Sequence, residues 1–249
     1  MIDVNISDGI AVLTMTHGKA NALTIEFCDA IAKAVNDLKG SSARALVITG
    51  QGKMFSAGVD LPRMLDGGPS YVREFLPALH RLYDAVFFNP KPVIAAINGH
   101  AIAGGCVLAC CADRKLMARG AGKIGVTELK VGVPFPPLAF EVMRFATEPR
   151  FLSEAILGAA TYSPEDGVAR GFVDDVVEPN ALMERALATA QQLAALSPPA
   201  FAQSKAQIRA AVSERLAQAG ATEAAVTDIW AQPATLQYMR DYVARTLKK

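Results

Sequence analysis

Phe55-Ser56-Ala57-Gly58-Val59-Asp60 and Asn98-Gly99-His100-Ala101-Ile102-Ala103-Gly104-Gly105-Cys106 are two runs of small residues, each where a β-strand is expected to end and a helix to begin. So little side-chain bulk leaves main-chain N–H groups pointing at whatever lies beside the turn. Two such turns facing one another would put two donors around one oxygen. That device, an oxyanion hole, stabilises the charge that develops on a carbonyl oxygen during reaction. Taken alone, the Gly104 turn reads more readily as a tight connection in which glycine only permits packing; the second turn beside it favours the functional reading.

Other chemistry-bearing side chains argue for less. Ser56 is not inside a Gly-x-Ser-x-Gly elbow, which speaks against a serine hydrolase. Of the histidines, His100 reads as packed and neutral, His80 as solvated on a polar helix face, and His17 receives no role. Cys28, Cys106, Cys110 and Cys111 form no Cys-x-x-Cys pair, so zinc-type spacing is absent and no metal is expected. They read as buried free thiols in a reducing compartment. Met1-Ile2-Asp3-Val4 lacks a basic stretch followed by an apolar run. The expected location is therefore cytoplasmic.

The chain has 249 residues, 51% of them hydrophobic, and a net charge of +1. It can bury a large core, and without a basic stripe nucleic acid is a poor partner. Residues 92–112 contain no Asp, Glu, Lys or Arg and are long enough to span a bilayer. Asn98-Gly99-His100 and Gly104-Gly105 would break the backbone hydrogen bonding that lipid demands. The stretch reads as a buried strand, a sharp connection and a buried helix, and no membrane partner is expected.

The elements that must position the two turns follow from periodicity. Strands are expected over 10–16, 45–49, 93–97, 115–118 and 172–177. Thr24 caps a helix whose apolar face carries Ile31, Ala34, Val35 and Leu38 and which Gly40 closes. A short helix over 61–65, a break at Gly67-Gly68-Pro69 and a helix over 71–88 precede Asn89-Pro90-Lys91-Pro92. A helix opens near Gly104, and another spans 163–170. From Asn180 onward the chain reads as helix, interrupted at Ser197-Pro198-Pro199, Gly220 and Gln232-Pro233. Alternating strands and helices followed by a helical tail imply an α/β core of mostly parallel buried strands.

The chain resembles the crotonase superfamily, the enoyl-CoA hydratase/isomerase family. The resemblance is carried by Asn21-Ala22-Leu23, Phe55 to Leu61, Lys91 to Gly99, Ala103-Gly104-Gly105-Cys106, Asp113, the 125–133 stretch and Ala169-Arg170-Gly171-Phe172-Val173-Asp174. Their order and spacing together are specific and cover nearly the whole chain. The resemblance implies a spiral ββα core over 1–195 and a helical trimerisation or lid region over 196–249. It implies a homotrimer or hexamer acting on acyl-coenzyme A thioesters, with coenzyme A part of the substrate and no separate cofactor. The oxyanion donors become the N–H groups of Val59 and Gly104, the latter at a helix N-terminus that favours negative charge.

Hydratases of this family usually carry two glutamates near the thioester. The position of the first, three residues after the donor glycine, is Val107 here; the second matches Glu128. Phe135-Pro136-Pro137 stands where typical hydratases have a Pro-Gly-x-Gly-Gly pattern. The motifs look closest to the delta-3, delta-2-enoyl-CoA isomerases, in which one carboxylate suffices as general base and acid. The implied substrate contacts are Lys19, Ala20, Ser56, Ala57, Gly58, Leu61, Met64, Phe75, Gly105, Val107 and Phe135, with relatives holding the adenine ring near Ser56 and Ala57. The resemblance also implies that Tyr242 and Lys248, on the last helix, reach a neighbouring subunit's ligand. Two other readings stay open: an enoyl-CoA hydratase working with Glu128 alone, and an acyl-CoA binder without activity. A thioester hydrolase or dehalogenase would need a carboxylate nucleophile that the residues do not identify.

Overall fold

The computed structural model describes residues 1–246. Ile2–Ser7 (β1) and Ile10–Met15 (β2) form an antiparallel hairpin closed by Asp8-Gly9, both at positive φ. The 15-residue helix Ile25–Lys39 (α1) follows, and its N-cap Thr24 accepts the Phe27 N–H. Ala45–Gly50 (β3) and Met54–Ser56 (β4) lead into Leu61–Phe87 (α2). Val93–Ile97 (β5) and His100–Ile102 (β6) lead into Gly104–Cys110 (α3). Arg114–Ala118 (β7) and Ile124–Gly125 (β8) lead into a 3-10 turn over Glu128–Val131. Strand, short strand, helical segment thus occurs three times in succession.

The long strands form one sheet in the order β1-β2-β3-β5-β7, which Asp175–Val177 (β9) extends; every pair beyond the hairpin is parallel. The short strands pair in parallel as a second sheet, β4-β6-β8. Each spiral turn therefore steps from the large sheet to the small one, then out into a helix.

The remaining helices are Pro137–Ala146 (α4), Leu152–Leu157 (α5), Pro164–Ala169 (α6), Leu182–Ala194 (α7), Pro198–Ala217 (α8), Gly220–Ala231 (α9) and Pro233–Thr246 (α10).

Both faces of the large sheet are covered, which is why its central strands are continuous apolar runs rather than alternating ones. Leu46 and Ile48 of β3 point into the main core with Phe27, Ile31 and Val35 of α1 and Leu82 and Val86 of α2. Ala45 and Val47, one residue out of phase, pack with Ile94 and Ala96 of β5 against Leu182, Ala186 and Ala190 of α7. Burying each large aliphatic side chain contributes about 1.5–3 kcal/mol.

The break expected at Gly67-Gly68-Pro69 is present within 61–87: two helical segments meet at a kink where Gly68 takes the non-helical φ 62° and ψ −154°. The strand expected over 172–177 is confined to 175–177, because Phe172 and Val173 turn back to accept none of the ladder and instead donate to Gly167 O. The helical reading after 180 holds, with breaks near the expected prolines and Gly220.

A buried ion cluster ties α8 to the sheet. Asp113, just before β7, accepts from Lys205 Nζ at 2.6 Å, Arg209 Nη2 at 2.8 Å and the Val93 N–H at 2.8 Å. Burial pushes the Lys205 amine down to about 8 even with this carboxylate beside it. Arg209 also stacks on Phe87, its Cζ 4.1 Å from the ring centre.

Candidate active site

Asn21 organises the approach to the first turn. It is 2% exposed and held at φ 45°. Its side-chain amide donates to Met15 O, Met54 O and Phe55 O, while its Oδ1 accepts the His17 N–H. Ser56 is wholly buried; its hydroxyl donates to Asn21 O at 2.8 Å and accepts the Gly58 N–H. The Ala57 N–H donates to Ala20 O. Residues 20–23 and 55–60 are thereby laced together.

The lacing fixes two peptide units. The carbonyl of Gly58 accepts the Leu23 N–H at 2.8 Å, and Asp60 N–H donates to Leu23 O at 3.1 Å. In a trans peptide the N–H lies opposite the carbonyl, so the Val59 N–H is directed away from Leu23. The carbonyl of Ala103 accepts Cys106 N–H at 2.8 Å and Val107 N–H at 3.1 Å, drawing it into α3. The Gly104 N–H is correspondingly directed outward, and its peptide is polarised by the two bonds on its carbonyl. Among the described residues neither the Val59 nor the Gly104 N–H has a protein acceptor.

The two turns touch. A Cβ built on Gly58 would fall 2.9 Å from the Gly104 nitrogen, and one built on Gly104 would fall 3.7 Å from Gly58 Cα. Gly58 takes φ 81°, which an L side chain rarely adopts. Ala103, between β6 and α3, is held at φ 50°, and its N–H donates to Gly125 O at 2.8 Å. A non-glycine residue in this region stores backbone strain that the surrounding bonds must overcome.

Both turns open on a cavity of about 450 Å³. Val59, Gly104 and Glu128 share its wall, and no Lys or Arg of the described residues lines it. Glu128 begins the 3-10 turn after β8 and is 8% exposed; its Oε2 is buried without a hydrogen-bond partner. Desolvation disfavours the ionised carboxylate and pushes its pKa from 4.5 up to about 7, against smaller opposing effects of the Glu128 and Thr127 main-chain N–H groups. A second carboxylate, Asp60, also reaches the wall, but its Oδ1 caps α2 by accepting the Arg63 N–H.

Ala20, Ala57 and Leu61 line this cavity as well. Other residues that the resemblance implied as contacts lie elsewhere. Met64, Phe75 and Val107 are wholly buried in the main core, on the sides of α2 and α3 that face packed side chains. Gly105 is pressed against Ser56, whose carbonyl oxygen would sit 2.3 Å from a Cβ there. Gly58 backs the donor turn without lining the wall, and Ser56 acts through its hydrogen bonds. Phe135 lines a neighbouring groove with Leu129 and Phe140. Lys19 is exposed and off the wall. His100 accepts the Lys123 N–H through Nδ1, and His17 stacks on Phe27.

Residues from distant segments complete the wall: Leu79 and Tyr83 from α2, Val131 and Val133, Trp230 from α9 and Tyr242 from α10. Tyr242, expected to reach a neighbouring subunit, stands on the cavity of its own chain; Lys248 lies outside the described residues. The Trp230 indole N–H is satisfied by Pro134 O at 2.8 Å, so the ring presents only apolar surface.

Among the described residues no helix is long and apolar enough to cross a membrane. The family profile described as enoyl-CoA hydratase/isomerase matches residues 5–240. A putative enoyl-CoA hydratase of Thermus thermophilus is 31% identical over 202 residues, covering 80% of this chain and 79% of that protein. The human mitochondrial enoyl-CoA delta isomerase 1 is 26% identical over 219 residues, covering 87% of this chain and 72% of that protein. The crystal structure of human mitochondrial delta3-delta2-enoyl-CoA isomerase superposes with a TM-score of 0.94 at 24% identity, covering 99% of this chain and 98% of that one, and shows the shared fold. With its spiral of paired sheets, its two facing turns and a profile match across nearly its full length, the chain belongs to the enoyl-CoA hydratase/isomerase family of the crotonase superfamily.

Proposed function

We propose that the protein is an acyl-CoA isomerase that moves a double bond from the 3,4 to the 2,3 position of an enoyl-CoA thioester. The observation that carries this reading is Glu128: a desolvated carboxyl with an unpartnered oxygen, on the same cavity wall as the two outward-facing N–H groups. In the proposed reaction the Val59 and Gly104 N–H groups hold the thioester carbonyl oxygen. Ionised Glu128 removes a proton from C2, and the electron pair delocalises into a dienolate whose charge rests on that oxygen. The same carboxyl then returns the proton to C4, leaving the 2,3 double bond and a regenerated carboxylate. No external acid, oxidant or cofactor is consumed; coenzyme A enters and leaves as part of the substrate.

A pKa near neutrality suits a group that must both take and return a proton. Hydration would ask for a second group to manage water, and the position expected to supply it is Val107, buried in the core. Asp60 is engaged as a helix cap. We place the protein in the acyl-CoA-metabolising class and take a trimer or hexamer of this chain as its assembly. The discriminating experiment incubates the purified protein separately with a 3-enoyl-CoA and with crotonyl-CoA. Conversion of the first to the 2-enoyl product, with slow or no hydration of the second, is expected. Fast hydration of crotonyl-CoA would replace the reading with the hydratase, and tight binding without turnover of either would replace it with a binding protein.

A further inference from the structure

The peptides on either side of the one joining Ala103 to Gly104 are each tethered by a group that the proton transfer does not use. On one side Ala103 N–H donates to Gly125 O at 2.8 Å. On the other the Tyr83 hydroxyl donates to the Gly104 carbonyl oxygen at 3.0 Å. Tyr83 comes from α2, is 1% exposed and lines the cavity beside Glu128. A Cβ on Gly104 would fall 2.8 Å from its Oη and 3.1 Å from Leu23 Cδ1, so the hydroxyl rests directly on the Gly104 backbone.

This tether answers a specific weakness. Glycine has the widest backbone freedom of any residue. Gly104 is the first residue of a seven-residue helix whose N-cap, Ala103, supplies no side-chain bond. Within α3 the Cys106 and Val107 N–H groups hold the Ala103 carbonyl, so Tyr83 adds an outside restraint to the first turn. Tyr83 grips it from a different and longer helix. Its phenol proton is committed to the Gly104 carbonyl, so it is not itself a proton donor to substrate. Burial above all, with the neighbouring Glu128 charge adding to it, raises the phenol pKa and keeps that proton in place.

We propose that Tyr83 is a positioning residue for the oxyanion site, its hydroxyl holding the Gly104 carbonyl so that the Gly104 N–H stays aimed at the thioester oxygen. The inference rests on the reading of Val59 and Gly104 as the oxyanion donors.

The test is Tyr83→Phe, which removes one oxygen, read in two ways. Turnover of a 3-enoyl-CoA should fall roughly five- to tenfold, the loss of about one neutral hydrogen bond, with KM within twofold. A saturated acyl-CoA carrying ¹³C at the thioester carbonyl, which neither isomerises nor hydrates, should show a smaller downward shift of its carbonyl stretch on binding than it does on wild type. Site-specific 3-fluorotyrosine at position 83, a stronger donor that retains the hydroxyl, should enlarge that shift, and it decides the matter if the phenylalanine variant does not fold. An unchanged carbonyl shift in either variant, or a raised KM with kcat preserved, would overturn the proposal and leave Tyr83 a wall residue. If wild type shifts the labelled carbonyl but isomerises nothing, the isomerase reading fails while the role of Tyr83 is still decided by the variants. No shift in wild type would remove the oxyanion site and this inference together.

Discussion

Gly58 and Gly104 lie against each other so closely that a side chain begun on Gly58 would meet Ile102 O at 2.7 Å, Ala103 Cβ at 2.9 Å and the Gly104 nitrogen at 2.9 Å. Two of these obstacles are backbone atoms, which cannot rotate aside. Gly58→Ala should therefore push the turns apart and also strain a residue at φ 81°. Turnover should drop by about 10²–10³-fold, comparable to losing one oxyanion donor. Steady-state kinetics on a 3-enoyl-CoA, with a thermal melt to show the fold persists, checks this; activity within threefold of wild type would mean that the contact between the turns is not catalytic.

Glu128→Gln keeps the size of the side chain and removes its basicity. Isomerisation should fall by roughly 10²–10⁴-fold, the usual weight of a general acid–base group, while acyl-CoA binding persists. Calorimetric titration with a saturated acyl-CoA reports the binding and a coupled product assay the turnover. Survival of isomerase activity within a few-fold would remove Glu128 from the mechanism.

The same carboxyl predicts a pH dependence. Burial pushes it up to about 7, and only the ionised form removes a proton, so kcat/KM should rise with pH through about 7 and level off above it. A flat profile from pH 5.5 to 8.5 would contradict the assignment.

Stability should move the opposite way. The folded chain holds the Glu128 proton up to about 7, whereas the unfolded chain releases it near 4.5. Between those values the folded state binds more protons, so wild-type stability declines as pH rises through the window. Glu128→Gln should gain little relative to wild type below pH 4.5 and on the order of 3 kcal/mol above pH 7, measured by urea unfolding at both ends. Equal differences at pH 4.5 and pH 8 would show that burial does not perturb this group.

Asp113 offers a test of the framework away from the cavity. Asp113→Asn leaves Lys205 and Arg209, both over nine-tenths buried, without their carboxylate. Breaking a buried pair on one side costs about 3–5 kcal/mol, because the remaining charge stays desolvated. Chemical denaturation should show that loss; a change below 1 kcal/mol would mean that water already solvates the cluster.

The division between what could be read along the chain and what could not follows how far apart the interacting residues lie. The Ala45 and Val93 strands announced themselves as continuous apolar runs because burial on both faces leaves no polar register. Thr24 was legible as a cap because a cap bonds three residues ahead. Asp8-Gly9 carried a hairpin signal for β1 that periodicity alone overlooked. β4, β6 and β8 had none, since strands of two or three residues exist only through pairing with one another. On the later part of α2 the apolar spacing marked Val72, Phe75 and Leu79 as one buried face without telling core from cavity. Only packing made that distinction: it set Leu79 and Tyr83 at the cavity, brought Trp230 and Tyr242 across from the last helices, and withdrew water from Glu128. Local chemistry wrote the turns and caps into neighbouring residues, whereas a cavity wall and a shifted pKa come from burial, which belongs to no single segment.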